Sequence, residues 1–323
     1  MEKTIRVLSL EDLPYMKAMQ TGIEDDYVTR IFERLVTTDQ NRLFGLFLDD
    51  HLASVCGYSI FAKHYAMLGR IRSDIRYRGK DLATMLTSQV MDEAFKLPDI
   101  HWVGANTQEK NLPARRVLEK LGLSPQAVIY GATTKDVSQL ESGSAGWNEL
   151  GDVKRKKQWV HDLYVKTGAV FPYECYYPFP ASPELFAEDE LETWSFFENA
   201  DATRVVIAKR DIKKYHYLHA IYPWEDLMDQ PGLWETIASA HKKLCQEVQE
   251  DALIWMDFTK EQAQSLPENH QFDLPSPWML YGTRRPKSRK RCVTSKKNQK
   301  PSASGSSFSM SLKIWRDRLF QDL

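Results

Sequence analysis

The sequence contains little cysteine and no long hydrophobic run. Its 323 residues include only four Cys, which lie far apart, form no CxxC pair and have no nearby His at zinc spacing. Neither a disulfide framework nor a structural metal site is therefore predicted. No segment approaches the roughly 18 consecutive apolar residues that span a bilayer, and acidic residues interrupt the N-terminal stretch where a signal peptide would be apolar. These absences argue against membrane-spanning and disulfide-rich proteins and predict a cytoplasmic one.

The formal net charge is also small, at −1, but the charges are unevenly distributed along the chain. Residues 274–323 hold 12 Lys or Arg and 2 Asp or Glu, whereas residues 1–273 hold 31 basic and 42 acidic residues. An acidic body thus precedes a basic tail, which we predict over residues 283–323 as a disordered arm ending in a short amphipathic helix. Three roles stay open for this tail: a nucleic-acid contact through residues such as Arg284 and Arg285, a membrane-surface contact, or a solvated tail without a partner.

Strand and helix patterns alternate through the first 135 residues in the order βααβββαβαβ. Strands are indicated by short apolar runs bounded by turns, and helices by apolar residues that recur every three or four positions. The clearest unit is a strand at residues 65–75, a polar turn at 76–80 and an amphipathic helix over 81–95. This order predicts an α/β domain built on a mixed sheet.

A segment rich in Gly, Ser and acidic residues, 136–152, is predicted to link this domain to a second α/β domain over residues 153–282. Eight of the nine Trp lie from Trp147 onward, which indicates that the second domain buries a core of its own. Its order of strand, loop, helix and strand repeats the centre of the first domain, and a strand at 278–282 is predicted to close it. A diverged internal duplication is one hypothesis, and an unrelated packing domain is the other.

The turn Arg78-Gly79-Lys80-Asp81-Leu82-Ala83 joins a predicted strand to the N-terminus of a predicted helix. Several backbone N–H groups and the positive end of the helix dipole converge there, which suits a pyrophosphate. Gly79 lets the backbone approach the phosphates, while Arg76, Arg78 and Lys80 supply positive charge. Taken alone, such a turn is more often solvated than bound to a ligand.

A second motif follows about 25 residues later, and the two together resemble the GNAT (Gcn5-related) N-acetyltransferase superfamily. The phrase IRYRGKDLATMLTSQVMDEA is similar to motif A of that family, which binds the pyrophosphate of acetyl-CoA, and NTQEKNLPARRVLEKLGL looks like the segment that follows it. The resemblance covers about residues 4–134. It implies a GNAT fold for residues 1–135, acetyl-CoA as co-substrate and no metal, and it raises the question of a degenerate GNAT-like second domain.

The resemblance also assigns residues to cofactor binding. Arg78 takes the Arg or Gln position of motif A, Ala83 takes its final small position, and the N–H groups between them would hold the phosphates. The strand end at 73–75 would pair through its backbone with the pantetheine arm, where the two central strands of the family diverge. The complete set is Ser73, Asp74, Ile75, Arg78, Gly79, Lys80, Asp81, Leu82, Ala83 and Asn111.

The sequence departs from the family at two positions. Asp81 replaces the first Gly of motif A, which places a carboxylate near the expected pyrophosphate and predicts weakened binding. Leu118 stands where many members have a Tyr that protonates the departing thiolate. Tyr130 or an ordered water would have to serve as the acid in its place.

An amine must lose its proton before it attacks a thioester, and a carboxylate is the natural base. The candidates are Glu24, Asp25 and Asp26 in the loop that borders the acceptor site in the family, and Asp74 on the strand next to the cofactor. Each is alternatively a solvated carboxylate or a helix cap. The predicted catalytic residues are therefore Glu24, Asp74 and Tyr130.

Together these features predict an acetyl-CoA-dependent N-acetyltransferase in which an amine attacks the thioester directly in a ternary complex. The acidic body favours a cationic acceptor, either a small molecule or a peptide. The second domain is not predicted to bind acetyl-CoA, because residues 224–232, which correspond to the phosphate turn, contain three acids and no base. The alternative is a non-catalytic binding or regulatory module, which Asp81 and Leu118 favour.

Overall fold

A computed structural model describes residues 2–285, and within that range it contains fourteen strands and nine α-helices. None of these helices is long and apolar enough to cross a bilayer. The strands are β1 (Lys3–Val7), β2 (Asn41–Leu48), β3 (His51–Phe61), β4 (Tyr65–Ser73), β5 (Trp102–Gln108), β6 (Ser124–Thr134), β7 (Asn148–Glu149), β8 (Val170–Glu174), β9 (Tyr177–Pro180), β10 (Ser195–Glu198), β11 (Val205–Ile212), β12 (His216–Ile221), β13 (Leu253–Phe258) and β14 (Trp278–Arg284). The helices are α1 (Leu13–Ala18), α2 (Tyr27–Arg30), α3 (Phe32–Thr37), α4 (Leu82–Lys96), α5 (Leu112–Lys120), α6 (Val153–Val160), α7 (Glu188–Thr193), α8 (Leu233–Val248) and α9 (Lys260–Ser265).

Twelve of the strands form one mixed sheet in the order β1-β2-β3-β4-β5-β14-β6-β13-β12-β11-β10-β7. In its first half, β1 to β4 pair antiparallel, and α4 then returns the chain so that β5 runs parallel to β4. Strands β2 and β3 are apolar on both faces because α4 covers one face and α1 to α3 cover the other. Their continuous apolar runs are typical of strands buried between two layers.

The second half repeats the order of the first. Strand β7, helices α6 and α7, the antiparallel strands β10 to β12, helix α8, strand β13, helix α9 and strand β14 follow one another as the elements from β1 to β6 do. The pair β12 and β13 is parallel, like β4 and β5. The main addition is the β8–β9 hairpin, inserted between α6 and α7.

The two halves exchange their last strands. Strand β14, which the sequence predicts as the closing strand of the second domain, lies in the first half between β5 and β6, and pairs with β5 over seven positions from Trp278 to Arg284. Strand β6 is long enough to serve both halves, because Ser124–Ile129 pair with β14 and Tyr130–Thr134 pair with β13. Neither half of the sheet is therefore complete without a strand from the other.

The first residues of the predicted basic tail belong to the fold. Arg284 lies in β14, opposite Trp102 on β5. The guanidinium of Arg285 donates hydrogen bonds to the backbone oxygens of Phe95, Leu97 and Pro98, and so closes the C-terminus of α4. The rest of the predicted tail and its terminal helix, residues 286–323, lie outside the described residues.

Aromatic residues of the second half pack beneath both halves of the sheet. The hairpin contributes Phe171 and Phe179, which are fully buried, and Phe179 meets the indole of Trp102 edge-on at 5.5 Å between ring centroids. Because Trp102 lies on β5, this cluster is shared by the two halves, whereas a separate cluster around α8 and β11 to β13 comes almost wholly from the second half, as the Trp distribution indicated. Gly104 and Gly282 make room for the same indole, since a Cβ at either position would overlap it.

Candidate functional site

Strands β4 and β5 pair at one end only and then separate. Their parallel ladder covers Tyr65–Leu68 of β4 and Trp102–Ala105 of β5. Beyond it, β4 contains a bulge at which Arg70 has a positive φ of 56°, and it continues to Ser73 paired with β3 alone. Strand β5 continues to Gln108 paired with β14. An unpaired backbone edge of each strand thus borders a gap, and a Cβ placed on Gly69 would meet no atom within 4 Å.

The chain after β4 forms a turn that leads into the N-terminus of α4. Gly79 and Asp81 both have positive φ, 78° and 53°, and α4 begins at the next residue, Leu82. The side chain of Asp81 does not cap the helix. The first N–H groups of α4 therefore point out of the helix without a side-chain cap, which is the arrangement that binds anions at helix termini.

Asp81 adopts a positive φ, a conformation that favours Gly, and its charge is paired. Its carboxylate forms an ion pair with Lys120 at the end of α5, at 2.5 Å between Oδ1 and Nζ, and its side chain is 69% exposed. The carboxylate therefore sits beside a cation rather than alone next to the helix N-terminus. The sequence alone could not indicate this partner, because the two residues lie 39 positions apart.

Asp74 has a structural role that does not fit the predicted role of catalytic base. Its fully buried carboxylate accepts hydrogen bonds from the backbone N–H and the guanidinium of Arg76, and from the backbone N–H of Gln20. The Arg76 guanidinium, with a smaller contribution from the two N–H groups, lowers the pKa of Asp74 to about 2. A carboxylate with this pKa and no exposed surface is a poor acceptor for the proton of an ammonium group.

The loop between α1 and α2 is tied to the turn that leads into α4. Besides the bond from Gln20 to Asp74, Ile75 N donates to Gln20 O at 2.8 Å, and Arg78 Nη2 donates to Thr21 O at 2.6 Å. Asp26 forms a bidentate ion pair with Arg72 of β4. The predicted acceptor loop and the predicted phosphate turn are therefore joined by direct bonds at the mouth of the gap.

Of the carboxylates in that loop, Glu24 differs from its neighbours. Asp26 is held by Arg72 and by Val28 N, and Asp25 pairs with Arg30. Glu24 is exposed, and within residues 2–285 no hydrogen bond or ion pair of its side chain is seen. The loop that carries Glu24 is bonded through Gln20 and Thr21 to the turn that leads into α4.

The predicted backbone contacts to a pantetheine arm are only partly available. Asp74 N donates to Ala53 O at 3.0 Å and Ile75 N donates to Gln20 O, so neither group is open to a ligand. Of the three predicted residues, Ser73 alone lies on the unpaired edge of β4, which runs from Gly69 to Ser73.

Other predicted residues lie at varying distances from the gap. Asn111 caps α5 by accepting a bond from Ala114 N at 3.3 Å, and Leu118 is buried between α5 and the sheet. Tyr130 lies on the part of β6 that pairs with β13, two strands away from β5, and packs against the core of the second half. The structure therefore groups residues 69–83 with the α1–α2 loop and sets Tyr130 apart from them.

The sequence did not indicate two residues near the gap, Tyr176 and Tyr281, because both come from the second half. The backbone oxygen of Tyr176, at the tip of the β8–β9 hairpin, accepts a hydrogen bond at 2.8 Å from Asn106 Nδ2, on β5 just beyond the ladder. Tyr281 on β14 is fully buried and its hydroxyl lies 3.1 Å from Glu119 Oε1 on α5. No local pattern indicates either contact, since 70 and 162 positions separate the partners.

The equivalent position in the second half is filled by protein. The linker runs over the N-terminus of α8, where the Glu235 carboxylate accepts the N–H groups of Ser142 and Ser144, and Trp147 N donates to the Thr236 hydroxyl. The backbone of Ala145 lies so close to Gly232 that a Cβ there would overlap it. Moreover, β12 pairs with β13 almost to its end, so no gap like that between β4 and β5 opens there.

Comparison with known proteins supports the sequence resemblance. Residues 6–124 match the family model described as the acetyltransferase (GNAT) domain. An uncharacterized N-acetyltransferase of Bacillus subtilis (strain 168), YnaD, is 21% identical over 151 residues, which are 46% of this chain and 84% of that protein. The resemblance of the N-terminal region to the GNAT superfamily is thereby confirmed, and it supports acetyl transfer as the general class of activity.

Solved structures match over most of the chain. A GCN5-related N-acetyltransferase from Sphaerobacter thermophilus aligns with a TM-score of 0.52 at 13% identity, over 88% of this chain and 96% of its own. A putative acetyltransferase from Thermoplasma acidophilum aligns with a TM-score of 0.46 at 16% identity, over 86% and 91%. The first alignment confirms the mixed α/β fold class, and at this identity it shows the fold alone.

Proposed function

We propose that this protein is an N-acetyltransferase that transfers an acetyl group from acetyl-CoA to a primary amine by direct attack in a ternary complex. The observation that carries the proposal is the gap between β4 and β5, which lies beside the uncapped N-terminus of α4. Both features fall within residues 6–124, which match the GNAT domain.

The residues around the gap fit acetyl-CoA. The N–H groups from Gly79 to Ala83 would bind its pyrophosphate, because Gly79 and Asp81 both have positive φ and turn the backbone around the start of α4. The unpaired edge of β4 from Gly69 to Ser73 would bind the extended pantetheine arm as a neighbouring strand does. Bound in this way, acetyl-CoA supplies an activated acetyl thioester.

The acceptor amine would enter from the side of the α1–α2 loop. Glu24 is the carboxylate we propose as proton acceptor, directly or through water, since Asp74 is buried and Asp26 is held by Arg72. A water would return a proton to the thiolate, since Tyr130 lies two strands away from β5. The acidic body of the chain favours a cationic acceptor, either a small polyamine-like molecule or a Lys-bearing peptide.

The β4–β5 gap, the α8 linker and the repeated element order together support one acetyl-CoA site in a chain with two GNAT-like halves. In the first half the helix N-terminus is open, whereas in the second the linker residues 142–147 cover it. We propose that the second half is a degenerate GNAT-like unit that completes the first through β14 and shapes the acceptor side through the β8–β9 hairpin.

Calorimetry with acetyl-CoA on the full chain, followed by a thiol-release assay with a panel of amines, tests the proposal. Gly79→Ala and Gly143→Ala form a matched pair, because both glycines are exposed, have φ of 78° and 79°, and have no atom within 4 Å of an added Cβ. We expect Gly79→Ala to weaken acetyl-CoA binding and Gly143→Ala to leave it unchanged.

Three outcomes would count against the proposal in different ways. Absence of binding at millimolar acetyl-CoA would refute the enzyme. Equal affinities of the two glycine variants would show that the phosphates lie elsewhere. Binding without thiol release across the amine panel would favour the alternative, a GNAT-fold binding or regulatory module. The buried Leu118, at the position where many family members have a Tyr, supports that alternative.

A further inference from the structure

A buried cluster of polar side chains lies at the tip of the β8–β9 hairpin, outside the proposed acetyl-CoA site. Cys175 at the tip, Asp211 on β11 and His219 on β12 each offer one ligand atom, and these atoms all lie within 4.8 Å of one another. Cys175 and His219 are fully buried, and the Asp211 side chain is 8% exposed. Sulfur, nitrogen and carboxylate donors thus converge from three separate elements.

The imidazole of His219 is held in place through one of its two ring nitrogens. Its Nε2 is hydrogen-bonded to Asp257 Oδ2 at 2.6 Å, and the same oxygen accepts a bond from Trp255 Nε1 at 3.0 Å. Its Nδ1 is buried and has no hydrogen-bond partner among the described residues. A carboxylate that fixes one ring nitrogen and leaves the other available is the usual outer support of a metal-binding histidine.

Charged side chains surround the cluster. Lys213 is buried and pairs with Glu174 Oε2 at 2.8 Å and with Asp211 Oδ1 at 3.0 Å. The Asp257 carboxylate, 7% exposed, lies next to His219, and Lys209, opposite His219 in the β11–β12 ladder, is a second buried cation. These charges are close to balanced, so the feature that calls for a ligand is the buried Nδ1 of His219, because a buried polar atom without a partner is unfavourable.

We propose that Cys175 Sγ, His219 Nδ1 and an Asp211 carboxylate oxygen bind a zinc ion, with a water in the fourth position. Thiolate, imidazole and carboxylate together are a zinc donor set, whereas magnesium and calcium select oxygen ligands alone. Burial, with a contribution from Asp211, raises the pKa of the Cys175 thiol, so the thiol carries its proton before the metal binds. The Zn–S bond replaces the S–H bond, and the proton leaves to solvent.

Such a site would pin the hairpin against the second half of the sheet. The residue after Cys175 is Tyr176, whose backbone oxygen accepts the bond from Asn106 on β5 next to the gap. The metal would therefore hold in place the segment that connects the second half with the β4–β5 gap. The sequence predicts no metal because the three ligands lie 36 and 8 positions apart in no recognised spacing.

Zinc binding to the full chain tests the site directly. The purified protein is stripped with a chelator and titrated with Zn²⁺ against a chromophoric competitor. We expect one zinc per chain, an affinity at least 10-fold lower in Cys175→Ser and Asp211→Asn, and an affinity about 10- to 100-fold lower in Asp257→Asn, which removes only the support of His219. Cys245→Ser is the matched control, because Cys245 Sγ lies 3.5 Å from His241 Nε2 in another Cys–His pair.

The Co²⁺ spectrum of the unmodified protein makes the test independent of how the variants fold. A thiolate-to-cobalt charge-transfer band supports the site, and its absence overturns it. Retention of zinc in a folded Cys175→Ser variant, or its loss only in Cys245→Ser, also overturns it.

Discussion

Asp74→Asn separates a structural role of this residue from a catalytic one. The substitution keeps the size of the side chain and one acceptor oxygen, but it removes the negative charge and turns an NH2 group toward the donors Arg76 and Gln20. A folded-state pKa of about 2 against 3.8 corresponds to about 2.5 kcal/mol of stability. Because Arg76 is 43% exposed, solvent screens part of this, and we expect a loss of about 2 kcal/mol at pH 7.

The pH dependence of that loss has a definite sign. A carboxyl whose folded pKa is depressed stabilises the protein fully above its unfolded pKa, near 4, and this contribution disappears as the pH falls toward about 2. Urea denaturation should therefore give a constant difference between the unmodified chain and Asp74→Asn from pH 8 to pH 5. The difference should shrink when the pH is lowered below about 4.

Asp251→Asn is the matched control. Its carboxylate pairs with Lys135 at 2.9 Å, but it is 84% exposed, so its loss should leave the free energy of unfolding almost unchanged. Equal changes in the free energy of unfolding for the two substitutions would refute the structural role of Asp74 proposed from its bonds to Arg76 and Gln20. A fall in turnover number with unchanged stability and unchanged acetyl-CoA affinity in Asp74→Asn would instead restore Asp74 as the base.

Three further outcomes are expected. Asp81→Gly should tighten acetyl-CoA binding in calorimetry, because it removes a carboxylate and keeps the positive φ. Asp81→Ala should lower the free energy of unfolding by about 1 kcal/mol relative to Asp81→Gly, because a positive φ is unfavourable for a residue with a Cβ. Equal stability of the two variants would show that the positive φ at this position stores no backbone strain. Gly104→Ala should destabilise the chain by at least about 2 kcal/mol in urea, because the added Cβ meets both the Trp102 indole and the backbone of β14; a shift below about 0.5 kcal/mol would show that the packing yields easily. A fragment of residues 1–135 should show no cooperative unfolding and no acetyl-CoA binding, because β5 and β6 lose β14 between them, while a chain ending at residue 285 should retain both; a folded fragment would refute the exchange.

Much of the first half could be predicted because its signals are local. The strand, turn and helix around Gly79 follow from apolar periodicity and a polar turn, and the proposed phosphate site rests on the same few residues. The parallel pairing of β4 with β5 follows from the helix between them. These features require no knowledge of residues far along the chain.

The contacts that could not be predicted join distant segments. Lys120 pairs with the charge of Asp81, and β14 inserts into the first half. The buried carboxylate of Asp74 is held by Arg76 and Gln20. In the sequence, each of these partners resembles an ordinary surface or strand residue. Spacing in the sequence carries no record of such pairings. The sequence could not weigh the predicted catalytic role of Asp74 for this reason, since the carboxylate of a strand end is either accessible or buried according to what folds over it.

The exchange of strands has a consequence for the order in which the chain folds during synthesis. Trp102 pairs with Arg284, 182 positions later, so the first half must wait for most of the polypeptide before β5 and β6 are joined. Closing so long a loop is entropically slow, and until it closes both strands present unpaired edges to other molecules. The nascent protein is thus most exposed to aggregation just before β14 leaves the ribosome, although in the folded sheet β14 pairs with both β5 and β6.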